Sequence, residues 1–337
     1  MQPIHLTAGH LHGGGCGAGG VGCGISIELS TVHPTLVRPP GAPIEGNTSV
    51  NILGYHLASV RLCQFHVPGL GFNMALSMVE PFNGAGFRCQ VPPINTSLFS
   101  GFDRGRVSQQ VNLRLSEDGI TFFDSHLTFV YFRKPVITGA LVNKGPVTGA
   151  TAIIAGAGLH AVAADASAAR CMLGDLKTSV SEITPNGDTI TCVLPPLPEG
   201  FALGIGYRIS VAIDGATFVS DERVEDFSYY LPPSNATMNP VTGGTEELVE
   251  VAIYASGLNN GMDTRRCRFG VAGTSSAYLV TVPSSDPLRP ELSHVELRCK
   301  APPCMQWGCV GTVEVAIALN GYDYTGFSPP LLFRYTN

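Results

Sequence analysis

The chain has 337 residues, of which 44% are apolar and only 14% are charged, and its net charge is −6. This composition is that of a folded protein rather than a disordered one, and the length suits two or three domains. The acidic balance and the lack of a dense Lys/Arg cluster disfavour nucleic acid as the partner, and the sequence has no run of eighteen apolar residues that could span a membrane.

Residues 1–24 are rich in Gly and lack the charged start and apolar centre of a signal peptide. We expect this segment to be a flexible tail. It contains Cys16 and Cys23 beside three His residues, a mixture that in principle binds zinc or copper. We favour the simpler interpretation, that a low-complexity tail collects such residues, and we predict no metal and no cofactor for the chain.

Four landmarks recur three times, in the same order, along the rest of the chain. Each repeat has a Cys in a short strand-like run, a second Cys shortly before a Pro pair, an alternating strand that ends in Asp-Gly or Asn-Gly, and a closing aromatic strand. The Cys pairs and turn glycines are Cys63, Cys89 and Gly119, then Cys171, Cys192 and Gly215, then Cys267, Cys299 and Gly321. The turn glycines are 96 and 106 residues apart, a period that suits one small all-β domain rather than a solenoid repeat.

We therefore predict three domains, at residues 25–133, 134–230 and 231–337, which are called the first, middle and last repeats below. The 40 Gly and 25 Pro residues fall in turn-like clusters between short apolar runs, as in a sandwich of short strands. The joints at Arg133-Lys134-Pro135 and Leu231-Pro232-Pro233 are short and stiffened by Pro. Three such domains in line would form a semi-rigid rod on the order of 100 Å long, suited to spacing.

The middle and last repeats resemble IPT/TIG domains. Both open with Pro-Val-Thr-Gly, at Pro146 and Pro240, and both continue through the Cys strand, the Cys before a Pro pair and the closing aromatic-x-Tyr. The first repeat departs from the pattern, because it opens with Pro40-Gly41-Ala42-Pro43 and its Cys strand ends in His66 rather than Gly. The resemblance covers residues 30–337.

This resemblance implies an aligned two-sheet β-sandwich of the immunoglobulin-like, E-set type in each repeat, and so an all-β array of three tandem sandwiches. The family occurs in plexins, growth-factor-type receptors, Rel-type transcription factors and ciliary proteins. It therefore implies a scaffold and not one function.

The Cys pairs leave two interpretations open. An intradomain disulfide in each repeat, which we favour, would place the array outside the cell. Alternatively, the six positions are buried apolar sites filled with free thiols. Cys304 and Cys309 bracket a loop that only the last repeat has, and there we favour a local disulfide over free thiols. A metal site is poorly supported, because no His or second Cys pair lies at ligand spacing.

Apolar loops are the candidate partner contacts. Met305 and Trp307 lie between Cys304 and Cys309, and Phe72 and Phe102 lie in loops of the first repeat. Such side chains either dock a partner or fold back onto their own domain. The Asn-x-Ser/Thr sequons, which are candidate glycosylation sites, are Asn47, Asn95 and Asn235.

Sequence motifs for catalysis are missing. The nine His are scattered, and the chain has no Gly-x-Ser-x-Gly, His-Glu-x-x-His or Walker-type motif. The acidic run Asp221–Asp226 lacks the alternating ligand spacing of a calcium loop, so we expect a solvated face there. We predict that the chain is not an enzyme.

The expected function is a non-catalytic adhesion, recognition or spacer array within a longer extracellular or cell-surface protein, with a protein or glycan partner. The alternative is an intracellular structural scaffold, for example in a cilium or the cytoplasm, in which the same thiols are reduced. A DNA-binding Rel-type module is disfavoured, because the charge is acidic and no basic loop precedes the first repeat.

Overall fold

The computed structural model describes residues 32–67, 73–82, 86–94, 108–160, 168–283, 294–304 and 311–336, with the backbone alone over 73–78. Within these ranges the regular structure is β-strand with short 3-10 turns, such as Leu57–Ser59 and Leu258–Asn260, and no α-helix is found there. The predicted all-β fold class is confirmed.

The first repeat contains two sheets. Its strands are β1 (His33–Arg38), β2 (Gly41–Pro43), β3 (Ser49–Tyr55), β4 (Leu62–His66), β5 (Asn73–Met78), β6 (Glu80–Phe82), β7 (Gly86–Gln90), β8 (Ser108–Ser116) and β9 (Phe123–Phe132). One sheet has the order β1-β3-β7-β6 and the other has the order β2-β9-β8-β4-β5.

The middle repeat also contains two sheets, one of six strands and one of three. Its strands are β10 (Val136–Val142), β11 (Lys144–Pro146), β12 (Ala150–Ala157), β13 (Arg170–Leu173), β14 (Leu176–Ile183), β15 (Thr189–Leu194), β16 (Gly206–Tyr207), β17 (Ile209–Ala212) and β18 (Phe227–Tyr230). They are ordered β10-β12-β15-β14-β13-β17 and β11-β18-β16.

The last repeat forms one continuous curved sheet of eight strands. Its strands are β19 (Ser234–Asn239), β20 (Thr242–Gly244), β21 (Val249–Ser256), β22 (Arg266–Phe269), β23 (Gly273–Val282), β24 (His294–Ala301), β25 (Gly311–Ala318) and β26 (Leu331–Thr336). The strand order is β19-β21-β24-β23-β22-β25-β26-β20.

In the middle and last repeats a single strand pairs with both cysteine-bearing strands. In the last repeat, the Gly273–Ser276 half of β23 pairs with β22, and its Ala277–Val282 half pairs with β24. In the middle repeat β14 pairs in the same way with β13 and β15, and in the first repeat β5 and β6 share the task, pairing with β4 and β7. The two Cys strands therefore lie on either side of a corner, with their inward residues facing each other.

A short opening strand also pairs in parallel with the closing strand in every repeat. β2 pairs with β9, β11 with β18 and β20 with β26. This pairing seats the opening motif beside the closing aromatic strand, two features that lie roughly ninety residues apart in the sequence. The observed sheets are those of an immunoglobulin-like sandwich.

Period-two alternation builds the cores. In β26, Leu331, Phe333 and Tyr335 are buried while the residues between them face solvent, as expected for a strand with one face in the core. The rings of Phe269 and Phe333 meet edge to face with their centroids 5.4 Å apart. One hydrophobic cluster gathers residues from Phe132 to Tyr229, and a second gathers residues from Tyr230 to Tyr335.

The described residues divide into two compact units, one within 32–38, 46–93 and 110–129 and the other within 39–45, 94–109 and 130–336. The middle and last repeats thus share the second unit, although each has its own hydrophobic cluster. The division of the chain into three domains stays a prediction.

Candidate functional site

Three disulfide bonds cross the corners of the three repeats. The bonded pairs are Cys63–Cys89, Cys171–Cys192 and Cys267–Cys299, with Cα atoms 6.5, 5.9 and 6.3 Å apart. These separations lie within the range that a disulfide spans without backbone movement. All six Cys are buried. Disulfides persist in oxidising compartments, so these three fit an extracellular protein.

Cys304 of the last repeat is also disulfide-bonded. Its side chain is buried, and its backbone N–H donates to the carbonyl of Thr245 at 2.7 Å. Cys309, its predicted partner, lies outside the described residues, as do Met305 and Trp307. The predicted local disulfide therefore stays a prediction.

The closing Tyr of a repeat hydrogen-bonds to its Pro pair. The hydroxyl of Tyr229 donates to the carbonyl of Pro195 at 2.8 Å, and Tyr335 donates to Pro302 at the same distance. Burial raises the pKa of both tyrosines to about 12. Two landmarks that are about 33 residues apart in sequence are thus joined in space, which explains why they recur together.

A network of charged and aromatic side chains lies on the face of the sheet formed by β21, β24 and β23. We call it the outer-face cluster, and its members are Glu250, Tyr254, Tyr278, Glu296 and Arg298. The strand register sets Tyr254 opposite Glu296 and Tyr278 opposite Arg298. Side chains directly opposite on neighbouring strands are close enough to interact, so the register alone assembles the cluster.

Arg298 lies at the centre of the outer-face cluster. Its Nε donates to Glu296 Oε1 at 2.5 Å, and its guanidinium also reaches Glu250 at 3.4 Å. The hydroxyl of Tyr278 donates to the other carboxylate oxygen of Glu250 at 2.7 Å. Every charged member therefore has a partner of the opposite charge, and half of the Tyr278 side chain remains exposed.

The pKa values in the outer-face cluster follow from these contacts. Burial of Glu296 by itself would raise the pKa of its carboxyl, but hydrogen bonds from Arg298 and Tyr254 outweigh that effect and lower it. The hydrogen bond to Glu296 raises the pKa of Arg298. The hydrogen bond to Glu250 likewise raises the pKa of Tyr278. The carboxyl of Glu296 and the guanidinium of Arg298 therefore remain charged at neutral pH.

Sequence reasoning missed the outer-face cluster, because the cross-strand register that unites it cannot be read from the sequence. The only signal was alternation, with Glu250 and Tyr254 on one side of one predicted strand and Glu296 and Arg298 on one side of another. Among the predicted contact residues, Phe72 and Phe102 lie outside the described residues.

The predicted glycosylation sites are described at two of three positions. Asn47 and Asn235 are exposed, and both have positive φ, at 63° and 54°. Asn is among the residues that tolerate this left-handed conformation, which is typical of turns. Asn95 lies outside the described residues. Modification of these residues stays a prediction.

The acidic run Asp221–Asp226 binds protein donors. Asp226 accepts from Arg208 Nε at 2.6 Å, and Asp221 forms an ion pair with Arg223 at 2.6 Å. The hydrogen bond from Arg223 holds the pKa of Asp221 well below its usual range. Within the described ranges, no group of three or more His, Cys, Asp or Glu is arranged to hold a metal ion.

Of the residues that the structure describes, none forms a helix that is long and apolar enough to cross a bilayer.

Residues 135–225, which span the middle repeat, match the IPT/TIG domain family. The resemblance identified from the sequence is confirmed there. No curated protein matches the chain in sequence.

Several solved structures resemble the chain. The plexin A4 full extracellular region matches 90% of this chain with 14% identity and a TM-score of 0.48, and this chain spans 24% of that structure. The Bacteroides ovatus protein SGBP-B of a mixed-linkage glucan utilization locus, in complex with a heptasaccharide, matches 88% of this chain with 12% identity and a TM-score of 0.22, over 65% of its own length. The ICAM-5 D1–D4 ectodomain fragment matches 89% with 10% identity and a TM-score of 0.19, over 76% of its length. At these TM-scores none of the three similarities carries a functional argument.

Proposed function

We propose that this chain, whose residues 135–225 match the IPT/TIG domain, is a non-catalytic recognition and spacer segment of an extracellular or cell-surface protein. The observation that carries the proposal is one buried disulfide at the corner of every repeat. A loop of 21 to 32 residues closed in this way contributes about 3–4 kcal/mol to each repeat. That contribution is present only where the thiols stay oxidised, which is outside the cytosol.

The first test is the redox state of the Cys in the natively purified protein. Peptide mass spectrometry without reduction should recover linked peptides for Cys171–Cys192 and Cys267–Cys299. The same sample should carry glycans at Asn47 and Asn235, because both side chains are exposed. Alkylatable thiols at all six paired positions would overturn the extracellular proposal and favour a reduced intracellular scaffold.

The outer-face cluster is the surface that we assign to partner binding, and the partner is a protein that presents complementary charged and hydrogen-bonding groups. Tyr and Arg are the residue types that contribute most at protein interfaces, because each offers a large contact area together with hydrogen-bond donors. Tyr278 and Arg298 supply both from one face of the last repeat.

Binding of the fluorescent, multimerised full chain to intact cells tests this assignment. We expect saturable binding that the Tyr278→Ala substitution weakens at least about 30-fold, the lower limit of a hot-spot effect. Tyr55→Ala is the matched control, because Tyr55 is an exposed tyrosine on β3 of the first repeat. Equal binding by the two variants would remove the outer-face cluster as the contact site while leaving the extracellular proposal intact.

A further inference from the structure

The strand β18 ends with two adjacent tyrosines that enter different cores. The Tyr229 side chain packs in the hydrophobic cluster of the middle repeat, and Tyr230 packs in that of the last repeat. Successive side chains of a β-strand point to opposite faces, so Tyr229 and Tyr230 can enter different cores without a bend in the backbone. The closing strand of the middle repeat thus supplies part of the hydrophobic core of the last repeat.

A hydrogen-bonded turn of the last repeat adds polar contacts to this joint. The amide nitrogen Nδ2 of Asn320 donates to the backbone carbonyl of Lys144, 3.0 Å away in the middle repeat. Asp323 accepts from Thr151 twice, with one carboxylate oxygen 2.8 Å from the backbone nitrogen and the other 2.8 Å from the hydroxyl. Asn320 is fully buried, so its bond to Lys144 is shielded from water.

Asn320 and Asp323 are also bonded to each other. Nδ2 of Asn320 donates to Oδ2 of Asp323 at 2.7 Å, the oxygen that also receives the Thr151 N–H. Because Asn320 Oδ1 accepts from the backbone nitrogen of Asp323 at 2.9 Å, the two residues hold one another in place. We call this pair, with its bonds to Lys144 and Thr151, the joint latch.

The turn that carries Asn320 and Asp323 differs from the same turn of the other two repeats in these two side chains. The same turn in the middle repeat has Asp214 and, three residues later, Thr217. Asp214 Oδ1 accepts from the Ala216 and Thr217 nitrogens at 3.0 and 2.8 Å, and its other oxygen accepts from the Thr217 hydroxyl at 2.9 Å. These three hydrogen bonds lie within the turn, and because a carboxylate accepts but cannot donate, Asp214 has no hydrogen to offer a backbone carbonyl outside it.

The first repeat has the same pair, with Asp118 accepting from the Ile120 and Thr121 nitrogens at 2.8 and 2.7 Å. The glycine after each turn residue has nearly the same φ in all three repeats, 81°, 77° and 83°. The backbone of the turn is therefore common to the repeats. What differs is the side-chain pair, Asp-Thr twice and Asn-Asp once, and the two changed residues are the two that contact the middle repeat.

We propose that the Asn320–Asp323 pair is a dedicated orientation latch that fixes the last repeat on the middle repeat, so that the two move as one body. Replacing Asp by Asn at the first position keeps the oxygen that caps the turn and adds a donor for the Lys144 carbonyl. Replacing Thr by Asp at the second position removes the donor that closed the turn on itself and supplies an acceptor for Thr151. The latch would hold any binding face of the last repeat at a constant angle to the middle repeat, whatever the cellular location of the chain.

The decisive variant is Asn320→Asp with Asp323→Thr in the full chain, which gives this turn the side chains of the other two. The turn keeps its internal hydrogen bonds, so we expect the repeat to fold, while all three hydrogen bonds across the joint are lost. Amide residual dipolar couplings from the two repeats should fit one alignment tensor in the unmodified chain and require two in the variant. The Thr151 amide should exchange with solvent roughly 10- to 100-fold faster, the factor associated with a hydrogen bond to a charged acceptor.

Two further variants distinguish loss of the joint latch from a general loss of stability. Asp214→Asn is the matched control, because it changes the equivalent residue of a turn whose hydrogen bonds are internal, and a single tensor should persist. Thr151→Val removes only the hydroxyl donor from the opposite side of the joint, at a strand position where Val is well tolerated, and exchange at position 151 should rise. A single tensor together with unchanged Thr151 exchange in the double variant would overturn the proposal and leave Tyr230 as the element that orients the repeats. Loss of the single tensor in Asp214→Asn would overturn it as well.

Discussion

Removal of the Cys171–Cys192 disulfide should destabilise the middle repeat and leave the last repeat nearly unchanged. The bond links residues 21 positions apart. For a loop of that size, the entropy that the bond removes from the unfolded chain corresponds to about 3.3 kcal/mol at room temperature. Substituting Cys171→Ala and Cys192→Val keeps the buried volume close to that of the disulfide, so most of the expected loss is this chain-entropy contribution.

Native-state hydrogen exchange is the suitable assay, because a chain with several cores need not unfold in one step. The slowest amides of β12 and β15 report opening of the middle repeat and should exchange about 250-fold faster, the factor equivalent to 3.3 kcal/mol. The amides of β21 and β24 report the last repeat in the same sample and serve as the internal reference. The corresponding substitution at Cys267 and Cys299, which lie 32 positions apart, should reverse the pattern with a loss of about 3.7 kcal/mol.

Two results would refute this reasoning. An acceleration of less than about tenfold in the middle repeat would mean that the bond does not restrict the unfolded chain as the loop-entropy argument requires. An equal acceleration in both repeats would mean that the two hydrophobic clusters open as a single unit, so that Tyr230 and the joint latch couple them completely.

Three other predictions follow from the buried tyrosines and the outer-face cluster. Tyr229→Phe leaves the Pro195 carbonyl without its donor and should cost about 1–3 kcal/mol of stability, measured by urea unfolding, with Tyr55→Phe unchanged. Burial raises the pKa of Tyr229 and Tyr335 from 10.0 to about 12. Their contribution to stability is therefore complete below pH 10 and is lost as the pH rises towards 12. In a titration to high pH, tyrosinate absorbance should show a step near pH 12 that coincides with unfolding. The lowered pKa of Glu296 acts in the opposite sense, because its contribution is complete above its unfolded pKa near 4.5 and is lost as the pH falls. Arg298→Leu removes the hydrogen bond that lowers this pKa, so the β21 and β24 amides should exchange faster at neutral pH and should lose less protection on acidification than in the unmodified chain, whereas an unchanged acid profile would contradict the role of Arg298.

The fold was predictable from the sequence because its signals are local and occur three times. Alternating runs such as Ile190-Thr191-Cys192 predict a half-buried strand, and Asp-Gly or Asn-Gly after an alternating strand predicts a turn with positive φ at Gly. The inward direction of Cys171 and Cys192 follows from this alternation. Their approach across a corner does not, because it depends on β14 leaving one partner strand for another.

The candidate site was not predictable for a related reason. Tyr254 and Glu296 are 42 positions apart and meet only because β21 and β24 pair in one register out of several that the sequence allows. A shift by one residue would turn Arg298 into the core, so burial of the other face selects the register, and the outer-face cluster is a consequence of packing on the inside. The large side chain of Trp307 favours a role in partner contact, but side-chain size does not predict where a loop residue lies in the fold.

Repetition also changes what a single substitution means. In a lone domain, Asn320 would be an unremarked turn residue, since Asn and Asp both cap turns through a side-chain oxygen. Beside Asp118 and Asp214 in the same turn, it becomes a departure from a pattern that the chain otherwise keeps, and the departure is coupled to a second one at Asp323. Asn320 has an amide donor where the other repeats have a carboxylate oxygen, and Asp323 has a carboxylate acceptor where they have a hydroxyl. Both of these groups hydrogen-bond to the middle repeat. The backbone of the turn is thus common to the three repeats, whereas the hydrogen bonds across the joint are made by the last repeat alone. Positions where tandem repeats differ in hydrogen-bonding type, rather than in size or hydrophobicity, are therefore where contacts between repeats should be sought.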